Sequence, residues 1–490
     1  MAEQPTQHSE LPVSKGYGSS TEELDSYGFI VGSNVDQQTI DRADLIAAVW
    51  GVYPHEVLLS LGWIAPEVYV AKLAATFRVG HAFTGKHHRH VRFIDATSNL
   101  PSHVADEIEY FRQFSTPICL TSPFRPEATL SADQRSQMVH HSVGQLRSEM
   151  PSGSAATRTA AWQVVFCVSI LGSLIGATLV DRWLSYFLLV ILTAIPFAFV
   201  VSQRLIALIV FWRNPLPKLA HIARFDIHAT PSTSLPVYSV LVPLFHEADV
   251  LRDILDALVK LKYPPAKLDV ILILEETDAL TQRAISGIDL PGFVKVLIVP
   301  DLQPRTKPKA LDYAMQFTSG EFIVVYDAED VPEPNQLRKA LQVFAQHPDI
   351  DCLQARLNIH NASENWLTAQ FALEYTTLFD GLLPALERLG LPIPLGGTSN
   401  HFRRHTLLAS GLWDPYNVTE DADLGLRLER QGRKIGILDS TTWEEAPADL
   451  GNWIRQRTRW IKGWMQTYLV HMRNPLVLQR ELGLAKFIGM

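Results

Sequence analysis

The chain has 490 residues and a net charge of −8, from 43 basic and 51 acidic side chains. That length suggests roughly three domains, and that charge argues against a general nucleic-acid binder. The three cysteines, Cys119, Cys167 and Cys352, stand far apart with no CxxC pair, so neither a zinc site nor a disulfide framework is indicated, and a reducing compartment is the default.

The chain opens on MAEQPTQHSELPVSKGYGSS. This stretch has no apolar core and is not a signal peptide. Residues 1–25 read as a disordered tail. Between 26 and 150, apolar residues recur three and four apart. Val57, Leu58 and Leu61 share one face, and Val68, Val70, Leu73 and Ala74 follow a looser one. Pro54 and Pro66 sit where helices start. The spacing predicts a small, mainly helical N-terminal domain. Within it, GHAFTGKH at 80–87 imitates a phosphate-binding loop. It carries His87 where the magnesium-ligating Ser or Thr belongs, and no β-branched strand precedes Gly80. It is read as a decoy. The adjoining KHHRHVR is read as a solvated basic loop, with a metal or anion patch as the alternative.

Residues 159–180 contain no charge, enough to cross a hydrocarbon core of ~30 Å as a helix. Asp181 and Arg182 interrupt, and 183–203 form a second uncharged run. The pair predicts a transmembrane hairpin over 159–212. Arg147 and Arg158 precede it, and Arg204, Arg213, Lys218 and Arg224 follow it. Both flanks are therefore expected on the cytoplasmic side. A further apolar run begins within 481–490, and additional membrane helices are expected beyond it.

After linkers at 151–158 and 213–235, the pattern becomes β/α. VYSVLVPLF, LDVILIL, FVKVLIVP and EFIVVY read as buried strands, with helices between them. Strands alternating with helices predict a doubly wound, mostly parallel α/β sheet. Two strands end in acids: EETD at 275–278 and DAED at 327–330. In such sheets the ligand crevice lies at the carboxyl ends of the strands. Asp327 and Glu329, at i and i+2, would give hard oxygen ligands for Mg²⁺ or Mn²⁺. An acidic turn before a proline-started helix is the plainer alternative. Lys307 and Lys309 lie between the two acidic strand ends and would neutralise a diphosphate. WIRQRTRWIKGW at 453–464 interleaves bases with tryptophans. It suits a membrane interface, a nucleic acid, or phosphate and sugar held together.

NVTEDADLG at 417–425 crowds Glu420, Asp421 and Asp423 ahead of a helical run. Acids are favoured in a first helical turn, with Thr419 as N-cap. Crowding like charges also raises their proton affinity.

EETD, DAED, TED at 419–421 and QRTRW at 456–460 occur in this order, with LGGTSNHFRR at 395–404 between them. The stretch from about 236 to 480 thereby resembles the family 2 inverting glycosyltransferases of cellulose-synthase type, membrane-embedded polysaccharide synthases with a GT-A domain. The resemblance implies donor contacts from Glu275, Glu276 and Lys307, and a metal on Asp327 and Glu329. It makes Asp421 the catalytic base, supported by Glu420, Gly397 and Thr398. Gln456, Arg459 and Trp460 would hold the diphosphate and acceptor end. Glu stands where Asp is usual at 275, 276 and 329.

The implied activity moves a sugar from a nucleotide-sugar donor, UDP-glucose being the candidate, to a growing polysaccharide. It would occur at the cytoplasmic face of a bacterial inner membrane, in a multi-pass protein. A non-processive transferase acting on a lipid carrier is the alternative within enzymes, and a non-catalytic secretion component the alternative outside them. Residues 26–150 are similar, through HEVLLSLGWIAPEVYVAKLA, to the N-terminal domain of type II secretion and pilus-assembly ATPases. That similarity implies a possible cyclic-dinucleotide regulator.

Overall fold

The computed structural model describes residues 27–77 except 28, 33 and 34; then 80–84, 90–95, 118–119, 125–213 except 158, and 231–490. The expected tail, most of KHHRHVR with His87, and the flanking charges Arg158, Lys218 and Arg224 lie outside the described residues.

Three helices open the described chain: α1 (Gln37–Trp50), α2 (Pro54–Ser60) and α3 (Pro66–Phe77). Asp36 caps α1 by accepting the Thr39 N–H at 2.8 Å. Pro54 starts α2, as its sequence position indicated. Val57, Leu58, Tyr69 and Leu73 are buried together with Ile30 and Ile40 in a small core. Helices are not the whole story of this region. Gly80–Thr84 (β1), His90–Asp95 (β2) and Ile118–Cys119 (β3) form a three-stranded antiparallel sheet. The described part of the decoy stretch, Gly80–Thr84, is thus a strand.

The next helix, α4 (Ala132–Glu149), packs elsewhere. Its Val139 is buried in the core of the β/α body, and its Ser142 accepts from Gln316 Nε2 at 2.9 Å. Then α5 (Ala161–Val180) and α6 (Arg182–Arg213) form an apolar hairpin of mean hydropathy 2.1 and 2.5. Both are long and apolar enough to cross a membrane, and their side chains stand mostly uncovered, with Leu179 83% and Phe197 71% exposed. Trp162 Nε1 and Gln163 Nε2 bond the carbonyls of Arg473 and Leu469, which ties the start of α5 to the β/α body.

That body is one eight-stranded sheet in the order β6-β5-β4-β7-β10-β9-β11-β8. The strands are β4 (Tyr238–Leu244), β5 (Leu268–Glu275), β6 (Val294–Val299), β7 (Phe322–Val325), β8 (Val331–Pro332), β9 (Cys352–Ile359), β10 (Asn400–Arg403) and β11 (Ile435–Glu444). The first four are mutually parallel. Valines, isoleucines and leucines on both faces of β4 and β5 are fully buried, as a strand covered on two sides requires. β10 runs antiparallel between β7 and β9. Part of LGGTSNHFRR is therefore strand rather than loop. Helices cover the sheet: α7 (Leu251–Val259), α8 (Ala279–Ser286), α9 (Lys307–Ala314), α10 (Gln336–Gln346), α11 (Trp366–Tyr375), α12 (Leu383–Leu389), α13 (Arg404–Ala409) and α14 (Glu420–Arg430). A long helix, α15 (Leu450–His471), and the shorter α16 (Pro475–Leu482) follow.

The α1–α3 module sits at the amino ends of the parallel strands, the side opposite the acidic strand ends. A Cβ on Gly292, just before β6, would stand 1.9 Å from the Leu59 carbonyl oxygen. A Cβ on Gly51 would meet Thr233 at 2.7 Å. Only bare backbone permits these approaches. We therefore expect Gly292→Ala to weaken docking of the module by about 1–3 kcal/mol. Limited proteolysis should then release residues 27–77 faster, while the melting of the β/α body stays unchanged. An unaltered digestion pattern would contradict this packing.

Candidate active site

The acidic strand ends meet over one glycine. A Cβ built on Gly397 would find Asp421 Oδ2 at 3.5 Å, Asp327 Oδ2 at 3.9 Å and Lys307 Nζ at 3.9 Å. Four residues from separate elements thus line one spot. Asp327 follows β7, Lys307 opens α9, Asp421 lies in the first turn of α14, and Gly397 precedes β10. The sequence separations run from 20 to 90 residues between the bonded pairs. Asp327 and Asp421 share a cleft, as the reading of both as site residues requires.

Lys307 is the hub. Its ammonium pairs with Asp327 and donates to the Gly397 carbonyl at 2.6 Å. Burial alone would discourage its charge, but Asp327, Glu420 and Asp421 together push its pKa up. The carboxylates feel the converse. Burial and then Asp421 push Glu420 up to about 7, despite the nearby Lys307. Burial raises Asp421 too, with the Ala422 N–H and Lys307 opposing. The Ala422 N–H reaches Asp421 Oδ1 at 2.8 Å.

The turn after β7 is built on Asp330. Its Oδ2 accepts from the Asp327 N–H at 2.8 Å and from the Thr398 hydroxyl. Thr398 also bonds the Val325 carbonyl at 3.2 Å, so it locks the acidic turn to the Gly397 segment. Asp330 is fully buried, and its Oδ1 has no hydrogen-bond partner. Burial and the Asp327 charge raise its pKa. Ala328 is buried, while Glu329 is accessible to solvent and close enough to Asp327, Glu247 and Lys307 to feel their charges. Glu444, closing β11, completes the acidic wall. Burial, then Asp330 and Asp327, raise it, and Tyr375 is its hydrogen-bond partner. Sequence reasoning missed Glu444, although its own rule, an acid closing an apolar strand, would have found it.

This excess of carboxylate fits a divalent cation. Asp327 and Glu329 offer hard oxygen donors, and the orphaned Asp330 oxygen lies in the same acidic turn. Among the described residues no three His, Cys, Asp or Glu side chains converge into a complete metal cage. Such a partial set suits an ion that keeps water and substrate phosphates as its remaining ligands.

Other expected site residues fall out differently. Glu275 is buried, and its Oε2 pairs with Lys309 Nζ at 2.8 Å, with Lys309 fully inaccessible. Lys309 therefore cannot meet a diphosphate; its role is to neutralise Glu275. Glu276 is exposed, and its Oε2 accepts the Asp301 N–H at 3.1 Å. Asp278 caps α8 and accepts the His246 N–H at 2.6 Å. Thr419 does occupy the N-cap position of α14, but its side chain makes no capping bond. Its hydroxyl lies 3.2 Å from that of Thr467 on α15 instead.

On α15, Arg457 rather than Arg459 is engaged. It grips Glu374 through two bonds of 2.6 Å and lies over the rings of Trp460 and Phe371. Trp460 packs on the core. Arg459 is exposed, and Gln456 keeps a buried Oε1 without a hydrogen-bond partner.

Residues 236–463 match the family model described as glycosyltransferase like family 2. The β/α body thus resembles the domain that this family model describes, and it is an α/β sheet whose acidic cleft lies at the strand ends. The probable glycosyltransferase YdaM of Bacillus subtilis is 28% identical over 50% of this chain and 60% of its own length. The beta-monoglucosyldiacylglycerol synthase of Trichormus variabilis is 29% identical over 52% of this chain and 54% of its own. Cellulose synthase 2 of Novacetimonas hansenii is 25% identical over 54% of this chain and 16% of its own. The chain therefore spans about half the length of the first two. The family match leaves the N-terminal region outside it.

A raised carboxyl pKa has a stability consequence. Glu420 binds its proton more tightly in the folded state, so its contribution is present below its ordinary 4.5 and is lost as pH rises through about 7. We expect Glu420→Gln to raise the melting temperature at pH 8 and to change it little at pH 4. Equal shifts at both pH values would contradict the buried, crowded carboxyl.

Proposed function

We propose that the chain is an inverting glycosyltransferase that works at a membrane surface, using a nucleotide-sugar donor. The convergence of Asp421, Asp327 and Lys307 over Gly397 carries this reading. Asp421 accepts the proton of an acceptor hydroxyl as that oxygen attacks the anomeric carbon. Its raised pKa brings it closer to working pH, which improves a general base. The nucleoside diphosphate leaves from the opposite face, so configuration inverts. Lys307 and the exposed Arg459 offset negative charge growing on the leaving group. Asp327 and Glu329 would hold Mg²⁺ or Mn²⁺, which supplies further charge stabilisation to the diphosphate. Gln456 and Trp460 line the acceptor side. Glu276 remains open for the nucleoside, whereas Glu275, paired to Lys309, serves the donor only by shaping the wall beneath it.

The apolar hairpin α5–α6 is read as the membrane attachment, with the catalytic body on the cytoplasmic face of a bacterial inner membrane. A growing polysaccharide is the proposed acceptor, on the strength of the QRTRW segment. A lipid acceptor is the second reading, favoured by the similarity to a glucosyldiacylglycerol synthase. A cyclic dinucleotide acting on the N-terminal module would have to work from the opposite end of the sheet.

The test is a donor screen on membranes containing the chain, with UDP-glucose and GDP-mannose first. Asp421→Asn should lower turnover by about 10³-fold or more, as expected for loss of an essential base, while donor binding persists. Chelation of divalent ions should abolish transfer, and added Mn²⁺ should restore it. Product length separates polymer from glycolipid. Full turnover by Asp421→Asn would refute the assignment.

A further inference from the structure

The third acid of the crowded stretch, Asp423, has no part in the chemistry above, yet it is wholly buried. Its Oδ2 accepts from Arg427 Nε at 3.1 Å, within α14. Its Oδ1 lies 2.9 Å from His471 Nε2, at the far end of α15. The other ring nitrogen, Nδ1, is 2.9 Å from Arg430 Nη1. Guanidinium groups only donate, so Nδ1 must accept. The proton of the imidazole therefore sits on Nε2 and is given to Asp423. Arg430 is held in turn by Glu481 of α16 at 2.7 Å. One neutral histidine, in a single tautomer, links the helix of the proposed base to the helix of the QRTRW segment.

The segment that leads into α14 is joined to α15 as well. A Cβ on Gly463 would stand 2.4 Å from the Thr419 side chain and 2.9 Å from its backbone nitrogen. Gln466 donates to the Tyr416 carbonyl at 2.8 Å and accepts the Val418 N–H at 3.2 Å. Thr467 meets Asn417 at 3.0 Å. His471 closes this row one turn beyond. Its bond fixes both the depth and the rotation of α14 at Asp423, two residues past Asp421.

We propose that His471, acting through Asp423, is a positioning residue that sets the Glu420–Asp421 turn in register with α15. The proposal rests on the transferase reading above. A merely structural histidine would affect folding alone. A positioning one affects the reactive geometry after the donor is bound.

Glutamine reproduces the pattern, since its amide nitrogen donates and its oxygen accepts; leucine does neither. With whichever of UDP-glucose and GDP-mannose the unaltered chain turns over, His471→Leu should lower kcat by about 10–100-fold with the donor KM within about twofold, the scale of a small misplacement. His471→Gln should recover kcat to within about threefold of the unaltered chain. A loss in His471→Leu that glutamine does not rescue, or one expressed in KM alone, would overturn the role. Independently of turnover, ¹⁵N spectra of histidine-labelled full-length chain should show a neutral ring protonated on Nε2 that disappears in His471→Gln. A doubly protonated or Nδ1-protonated ring would also overturn it. Failure of the unaltered chain to use any donor would instead sink the transferase reading, and with it a catalytic purpose for the link. The two failures are thus distinct.

Discussion

The site depends on one cation, Lys307, placed among carboxylates that would otherwise repel one another. Asp327, Glu420 and Asp421 act on the same ammonium, and its second bond, to the Gly397 carbonyl, fixes where that charge stands. Like charges in a partly buried cleft carry a large desolvation cost unless a counter-charge is close. Lys307 offsets only part of it. The remainder appears as raised proton affinity at Glu420, Asp421, Asp330 and Glu444. A cleft left short of positive charge is ready for a ligand that brings some, such as a divalent ion carried with a diphosphate. The same imbalance explains why the folded state tolerates the site rather than gains from it.

Around that centre the fold supplies rigidity. β7 and β10 are paired strands whose ends present Asp327 and the Gly397 segment, and Thr398 bonds across them. The helix bearing Asp421 is fastened to α15 by Gly463, Gln466, Thr467 and His471. Because α15 also receives the start of the apolar hairpin through Trp162 and Gln163, the cleft and the membrane-sized helices form one connected unit. The α1–α3 module, by contrast, touches the opposite end of the sheet, where bare glycine backbone at Gly51 and Gly292 permits the close fit.

Much of this was legible before any coordinates. The strands around 238–244, 268–275, 294–299 and 322–325 announced themselves as continuous runs of β-branched and aliphatic residues. Asp327 and Lys307 were singled out by their places at strand ends, and Asp421 by the resemblance to a known family. What escaped was of a different kind. β9, β10 and β11 carry polar residues such as Gln354, Asn400, His401 and Thr442, which are buried because each bonds backbone or a buried side chain from another segment. A periodicity argument cannot see that satisfaction. Glu275 and Lys309 each looked available for substrate, since nothing local shows that they consume each other's charge.

The sequence by itself determined the class of the sheet, the apolar hairpin, and the placing of acids after apolar strands, because hydrophobic period and strand-end position are properties of neighbouring residues. Tertiary structure alone decided which acids face one cleft, which lysine serves it and which is buried beneath it, and that a histidine 50 residues from the proposed base is bonded beside it. Those are matters of distance and desolvation between segments far apart in the chain, and no local pattern encodes a distance that only the closed sheet creates.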